Sequence, residues 1–228
     1  TIPFKIQKYT YKEDKEGLLR DYLYKDISTN ISLGTPSQNI PMLIGFGEYT
    51  TYILPENVQG YDGTAKYNKD KSSSYKTSQK FSEVFFYQIF SEAYRSKENL
   101  VLSSPKVTLK NFEFLLATHV GENICYLPYC EVLTQPGVIG LRMSPSEGVN
   151  EQINTTNFIS QLRNKEIIDS HDFTFLFGDD DNGTLIIGEK PDEYDSTNYD
   201  KDDFVFTKVH IDNTKEKDWS LIFDNILY

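Results

Sequence analysis

The feature that most constrains this chain is a recurrence of short apolar, aromatic-rich runs, each closed by turn residues before it could build a long helix. They fall at residues 40–44, 49–54, 81–89, 100–102, 107–109, 112–118, 138–141, 173–177, 184–187, 204–211 and 219–228. Glycine and proline punctuate them at Thr35-Pro36, Pro55, Gly60, Gly63, Pro105, Gly121 and Pro136-Gly137. Runs of this length between breakers build strands, so the series predicts an all-β fold. Composition agrees: 16 Tyr and 15 Phe bring the aromatic share to 14%, too much for a disordered chain and suited to a β-rich core. At 228 residues the chain buries roughly 70–75% of its unfolded surface and folds without a staple.

Helical signals are few. In Asn157-Phe158-Ile159-Ser160-Gln161-Leu162-Arg163-Asn164 the apolar residues 158, 159 and 162 share one helical face, and Thr156 is placed to cap it. The segment Gly178-Asp179-Asp180-Asp181-Asn182-Gly183 reads as a hairpin loop between two strands. Two polar stretches read as insertions or linkers: the Lys/Ser-rich residues 66–80 and the acid-rich residues 192–203. No repeat of 20–50 residues is present.

The formal net charge is −11, from 34 acidic against 23 basic residues. That balance argues against a nucleic-acid partner, whose phosphates need Lys/Arg stripes, and against anionic membrane surfaces. No run approaches the ~18 apolar residues of a membrane span. The start carries no basic-then-apolar leader, and Thr1 is not an initiator methionine, which predicts that a leading segment has been removed. The only two cysteines bracket Cys125-Tyr126-Leu127-Pro128-Tyr129-Cys130. No second Cys or His pair follows to make a zinc site. The spacing suits a small disulfide-closed loop, worth about 2 kcal/mol by loop entropy, and an oxidising compartment. Three glycosylation sequons point the same way: Asn30-Ile31-Ser32, Asn154-Thr155-Thr156 and Asn182-Gly183-Thr184. Asn154 is the most loop-like of the three.

The segment from Asp26-Ile27-Ser28-Thr29-Asn30-Ile31-Ser32-Leu33-Gly34-Thr35-Pro36-Ser37-Gln38 through Leu43-Ile44-Gly45-Phe46-Gly47-Glu48-Tyr49 to Tyr52-Ile53-Leu54-Pro55 resembles the first lobe of pepsin-like aspartic proteases. Further pieces follow in the family's order. Lys71-Ser72-Ser73-Ser74-Tyr75-Lys76 is similar to its Ser-Ser-Thr-Tyr segment, and residues 81–102 stand in the place of the flap hairpin. Phe114-Leu115-Leu116-Ala117-Thr118 and Gly137-Val138-Ile139-Gly140-Leu141 look like the strands closing the first lobe. Asp172-Phe173-Thr174-Phe175 with Gly183-Thr184-Leu185-Ile186-Ile187-Gly188 looks like the hairpin opening the second. Ile2-Pro3-Phe4-Lys5 resembles the first propeptide strand. The resemblance implies a bilobal all-β fold: a propeptide-like segment over 1–20, a first lobe over 21–168 and the start of a second lobe, incomplete in this chain, over 169–228.

In that family two aspartates about 3 Å apart share one proton and activate a water. The resemblance puts Gly45 where the first aspartate belongs, and Phe46, Gly47 and Glu48 complete a degenerate motif. Glu48, three positions on, reads as an ordinary polar or salt-bridged residue. No Asp-Thr-Gly or Asp-Ser-Gly occurs in the sequence. The flap's Tyr-Gly pair is replaced by Phe86-Tyr87-Gln88, the cleft tryptophan by Tyr52, and the aspartate before the Gly-Ile-Leu-Gly strand by Pro136. Phe86, Tyr87 and Tyr52 are therefore the cleft and flap candidates.

No metal or cofactor is expected. His119, His171 and His210 are dispersed, the 179–181 acids read as a solvated hairpin tip, and no helix follows Gly45-Phe46-Gly47 to cradle a phosphate. The expectation is an inactive, secretory aspartic-protease-like protein that serves as a structural or binding module. Its partner would be a protein or extended peptide, the remainder of the second lobe, or another chain in a larger assembly. The alternative is part of an aspartic endopeptidase whose catalytic pair is completed by sequence or a chain beyond this one.

Overall fold

A computed structural model describes residues 1–7, 26–45, 48–58, 67–81, 90–103, 106–120, 135–142, 156–178, 180–190, 193 and 195–198. The expectations for Phe46, Gly47, Phe86, Tyr87, Cys125, Cys130, Asn154, His210 and the run 204–228 lie outside the described residues.

The described strands are β1 (Ile2–Gln7), β2 (Asp26–Leu33), β3 (Gln38–Gly45), β4 (Tyr52–Ile53), β5 (Lys76–Phe81), β6 (Phe90–Ser103), β7 (Lys106–Val120), β8 (Gly137–Gly140), β9 (Phe173–Phe177) and β10 (Asn182–Ile187). They join in one sheet ordered β5-β6-β7-β4-β8-β3-β2-β1-β10-β9, and β2 also touches β6. The all-β expectation holds. β1 is the bridge of this sheet: Lys5 pairs with Ser28 on one side and with Asn182 on the other.

Strand alternation decides which residues enter the core. Along β3, Ile40, Met42 and Ile44 point inward, and Ile31 and Leu33 of β2 meet them. Phe4 of β1 packs on Phe175 and Phe177 at ring separations of 5.4 and 5.5 Å. The helix α1 (Phe158–Asn164) buries Phe158, Ile159 and Leu162, the face read from its spacing. Its cap is Asn157, not Thr156: the Asn157 Oδ1 accepts the Ser160 N–H at 2.9 Å. Gln161 then fastens α1 to β7, donating to the Glu113 carbonyl at 2.8 Å and accepting the Glu113 N–H at 2.6 Å.

Two readings change. Residues 107–109 and 112–118 form one long strand, β7, hairpinned to β6 through Leu102↔Val107 and Ser103↔Lys106. The polar stretch 66–80 is not a linker. Tyr67 is fully buried against Phe114, and β5 pairs with β6. Two aromatic anchors, Tyr67 and Tyr75, hold a run in which Lys69, Asp70, Lys71, Ser73, Lys76, Thr77 and Ser78 are exposed.

Candidate functional site

The site is built where a later strand threads between two earlier ones. β3 and β4 are consecutive here yet do not pair, because β8 lies between them. β8 is parallel to β3 through Leu43↔Val138, Ile44↔Ile139 and Gly45↔Gly140, and antiparallel to β4 through Tyr52↔Val138. The chain leaving Gly45 must therefore loop over the end of β8 before it returns as β4. That loop carries Glu48, Tyr49, Thr50 and Thr51.

Backbone hydrogen bonds fix the loop on all sides. The Gly45 carbonyl accepts from Leu141 at 3.0 Å and the Glu48 carbonyl from Arg142 at 2.7 Å. Thr51 donates to the Thr156 carbonyl at 3.0 Å and accepts from Leu115 at 2.9 Å. Asn157 adds a side-chain clamp: its Nδ2 donates to the carbonyls of Tyr49 at 3.0 Å and Arg142 at 2.9 Å. Gly140 lies directly under the loop, where a Cβ would come within 2.5 Å of the Thr50 carbonyl oxygen and 2.7 Å of its nitrogen. Only glycine permits that approach.

Gly45 is equally confined, but by a side chain. A Cβ on Gly45 would lie 2.5 Å from Glu48 Cγ and 2.8 Å from Val138 Cγ1. Glu48 thus folds back across the end of β3. Its Oε2 is buried and takes part in no hydrogen bond. Burial pushes the carboxyl up to about 9, against a weaker opposing pull from the Arg142 guanidinium. Desolvation disfavours the charged form, so this acid carries its proton at neutral pH. In place of the ordinary polar or salt-bridged residue expected from sequence, Glu48 is a largely enclosed acid.

Tyr52 is buried beneath the same loop, 1% exposed. Its phenol is held protonated well beyond the ordinary range, first by burial and then by the neighbouring Glu48 carboxylate once that group ionises at high pH. Thr51 Oγ1 is a second buried oxygen without a partner. The cluster brings together Gly45, Glu48 and Tyr52, which sequence reasoning singled out, with Arg142, Thr51 and Asn157, which it did not. An Asn before a helix signals a cap, but nothing in the sequence marks its second use as a loop clamp.

An aspartic dyad needs two carboxyl groups close enough to share a proton, each raising or lowering the other. The charge acting on Glu48 is a guanidinium, and its shift is mainly desolvation. Among the described residues this arrangement holds one largely enclosed acid that keeps its proton at neutral pH.

The remaining candidates are scattered. Asn30 and Asn182 are exposed, on β2 and at the start of β10. His119 is half-buried on β7 and His171 is exposed ahead of β9. Among the described residues no group of three His, Cys, Asp or Glu side chains could hold a metal, and no helix is long and apolar enough to cross a membrane.

No curated protein matches this sequence. The family model described as eukaryotic aspartyl protease matches residues 27–227, a span that includes β3 to β10 and with them the threaded β3–β8–β4 arrangement. The chain belongs to the eukaryotic aspartyl protease family.

Proposed function

We propose that this chain is a catalytically inactive member of its family that binds an extended peptide or a partner-protein segment in the remnant cleft. The observation that supports the reading is at Gly45, which the sequence resemblance aligns with the family's first aspartate: Glu48 fills the space that a side chain there would need. A displaced acid does not restore the chemistry, because proton sharing and water activation depend on carboxyl placement within fractions of an ångström. Loss of the motif with retention of the strands around it favours binding over cutting.

The occupant would add to the sheet edges beside the cleft by main-chain hydrogen bonds, with side-chain pockets setting preference. The two lobes, 21–168 and the opening of a second over 169–228, are joined through β1 in this reading. The short Cys125–Cys130 spacing and the sequons support a secretory-pathway, lumenal or extracellular location.

Purified full-length protein incubated with denatured haemoglobin or casein at pH 3–5 should release no peptides. Pepstatin-sensitive cleavage would overturn the proposal and favour a catalytic pair completed by another segment or chain.

A further inference from the structure

A trough crosses the sheet where β10, β1 and β2 run side by side, between exposed residues of these strands and the edge of the core at Phe4. In-register pairing puts Asn182, Lys5 and Ser28 in one row across β10, β1 and β2. Directly paired residues point to the same face of a sheet, as do residues two apart on one strand. Pro3, Asn30 and Pro41 therefore share this face with Asn182, since Asn30 pairs with Pro41 and Pro3 with Thr184. Together with Gln135 they line a trough of about 410 Å³, within the range of small-ligand sites.

Two of those residues, Asn30 and Asn182, head sequons. They are not equivalent. Asn30 lies mid-strand, with β1 on one side of β2 and β3 on the other. Asn182 opens β10 directly after the hairpin tip, and its Nδ2 is held only by the exposed Asp180 carbonyl at 2.8 Å. That bond exchanges readily with water. The trough beside it offers two proline rings as an apolar floor for a sugar face, and Lys5, Asn30 and Gln135 as polar partners for hydroxyl and acetamido groups.

We propose that Asn182 carries an N-linked glycan whose first N-acetylhexosamine lies in this trough. The inference rests on the secretory reading made above. The sugar comes from a lipid-pyrophosphate-linked oligosaccharide, transferred in the lumen to the emerging chain. A bond forms between Asn182 Nδ2 and the anomeric carbon, the bond from that carbon to the pyrophosphate oxygen breaks, and one amide proton is lost as the lipid pyrophosphate departs. Once folded, the first ring ties the hairpin to β1 and β2.

The test uses the full-length gene expressed in a eukaryotic secretory host, with glycopeptide mapping of the product. Asn182 occupied, with N182Q and Thr184→Ala each removing that glycan and Thr184→Ser keeping it, is the expected result. A chain that never enters the lumen overturns both the secretory reading and the glycan. A lumenal chain with Asn182 bare overturns the glycan alone. The seat is read separately on folded wild-type glycoprotein. Trimming with an endoglycosidase that leaves one sugar should keep Tm, and complete removal should lower it by about 2–4 °C. Equal Tm after both treatments would show that the ring does not occupy the trough.

Discussion

Glu48 stands where a side chain on Gly45 would have to go: a Cβ there would approach Glu48 Cγ to 2.5 Å. The empty position at Gly45 and the side chain of Glu48 therefore form one packing unit. Gly45→Ala should cost about 1–3 kcal/mol by overpacking, while Gly45→Ala in a Glu48→Ala background should cost distinctly less. Urea midpoints for the four proteins give the coupling. Additive losses would separate the two positions.

The same carboxyl sets a pH dependence. In the folded protein it holds its proton up to about 9, against 4.5 when unfolded. Between those values the folded state binds one more proton than the unfolded state, so stability falls as pH rises. The contribution is fully present below about pH 4.5 and is lost towards pH 9. Its slope is at most about 1.4 kcal/mol per pH unit, less where solvent reaches the group. Glu48→Gln keeps the shape without the titration. Its urea midpoint should therefore change less than wild type between pH 5 and pH 8, and exceed wild type at pH 8.

Asn157 caps α1 and clamps two carbonyls of the loop region with one amide. Asn157→Ala should cost about 2–3 kcal/mol, more than a cap alone. Asn157→Asp separates the roles, since aspartate caps well but sets an oxygen against the Tyr49 and Arg142 carbonyls. It should fall near the alanine variant in thermal unfolding. A wild-type Tm for Asn157→Asp would mean that the clamp contributes nothing.

Much of this architecture is legible from pattern alone. Residues 173–177 form β9, and the hairpin expected between two strands is there but shorter, since Asn182 and Gly183 already belong to β10 and the Gly178 N–H donates to the Asn182 carbonyl at 2.8 Å. Such segments have clean turn residues at both ends. The β6–β7 hairpin was harder, because buried polar residues, Ser96 and Glu98, interrupt β6, and Lys110 and Asn111 split the apolar pattern of β7. Gly45 could be recognised as an absence, but the return of Glu48 across β3 depends on a loop path over β8 that no local spacing encodes. Pairing between residues far apart in the chain, as in Ile44↔Ile139, decides it.

Tyr67 shows what the polar stretch 66–80 hides. Its hydroxyl donates to Glu98 Oε2 at 2.9 Å in the core, while Glu98 Oε1 accepts the Asn99 N–H at 2.9 Å. Glu98 is 1% exposed, so each of these bonds offsets the desolvation of a buried acid. Tyr67→Phe preserves the ring packed on Phe114 but strips Oε2 of its donor. It should lower stability by about 1–3 kcal/mol. Glu98→Gln in the Tyr67→Phe background replaces the carboxyl with an amide and should recover part of that loss, which a surface residue in a linker could not do. Denaturant unfolding of wild type, both single variants and the double variant measures the recovery. Its absence would return Tyr67 to a purely packing role.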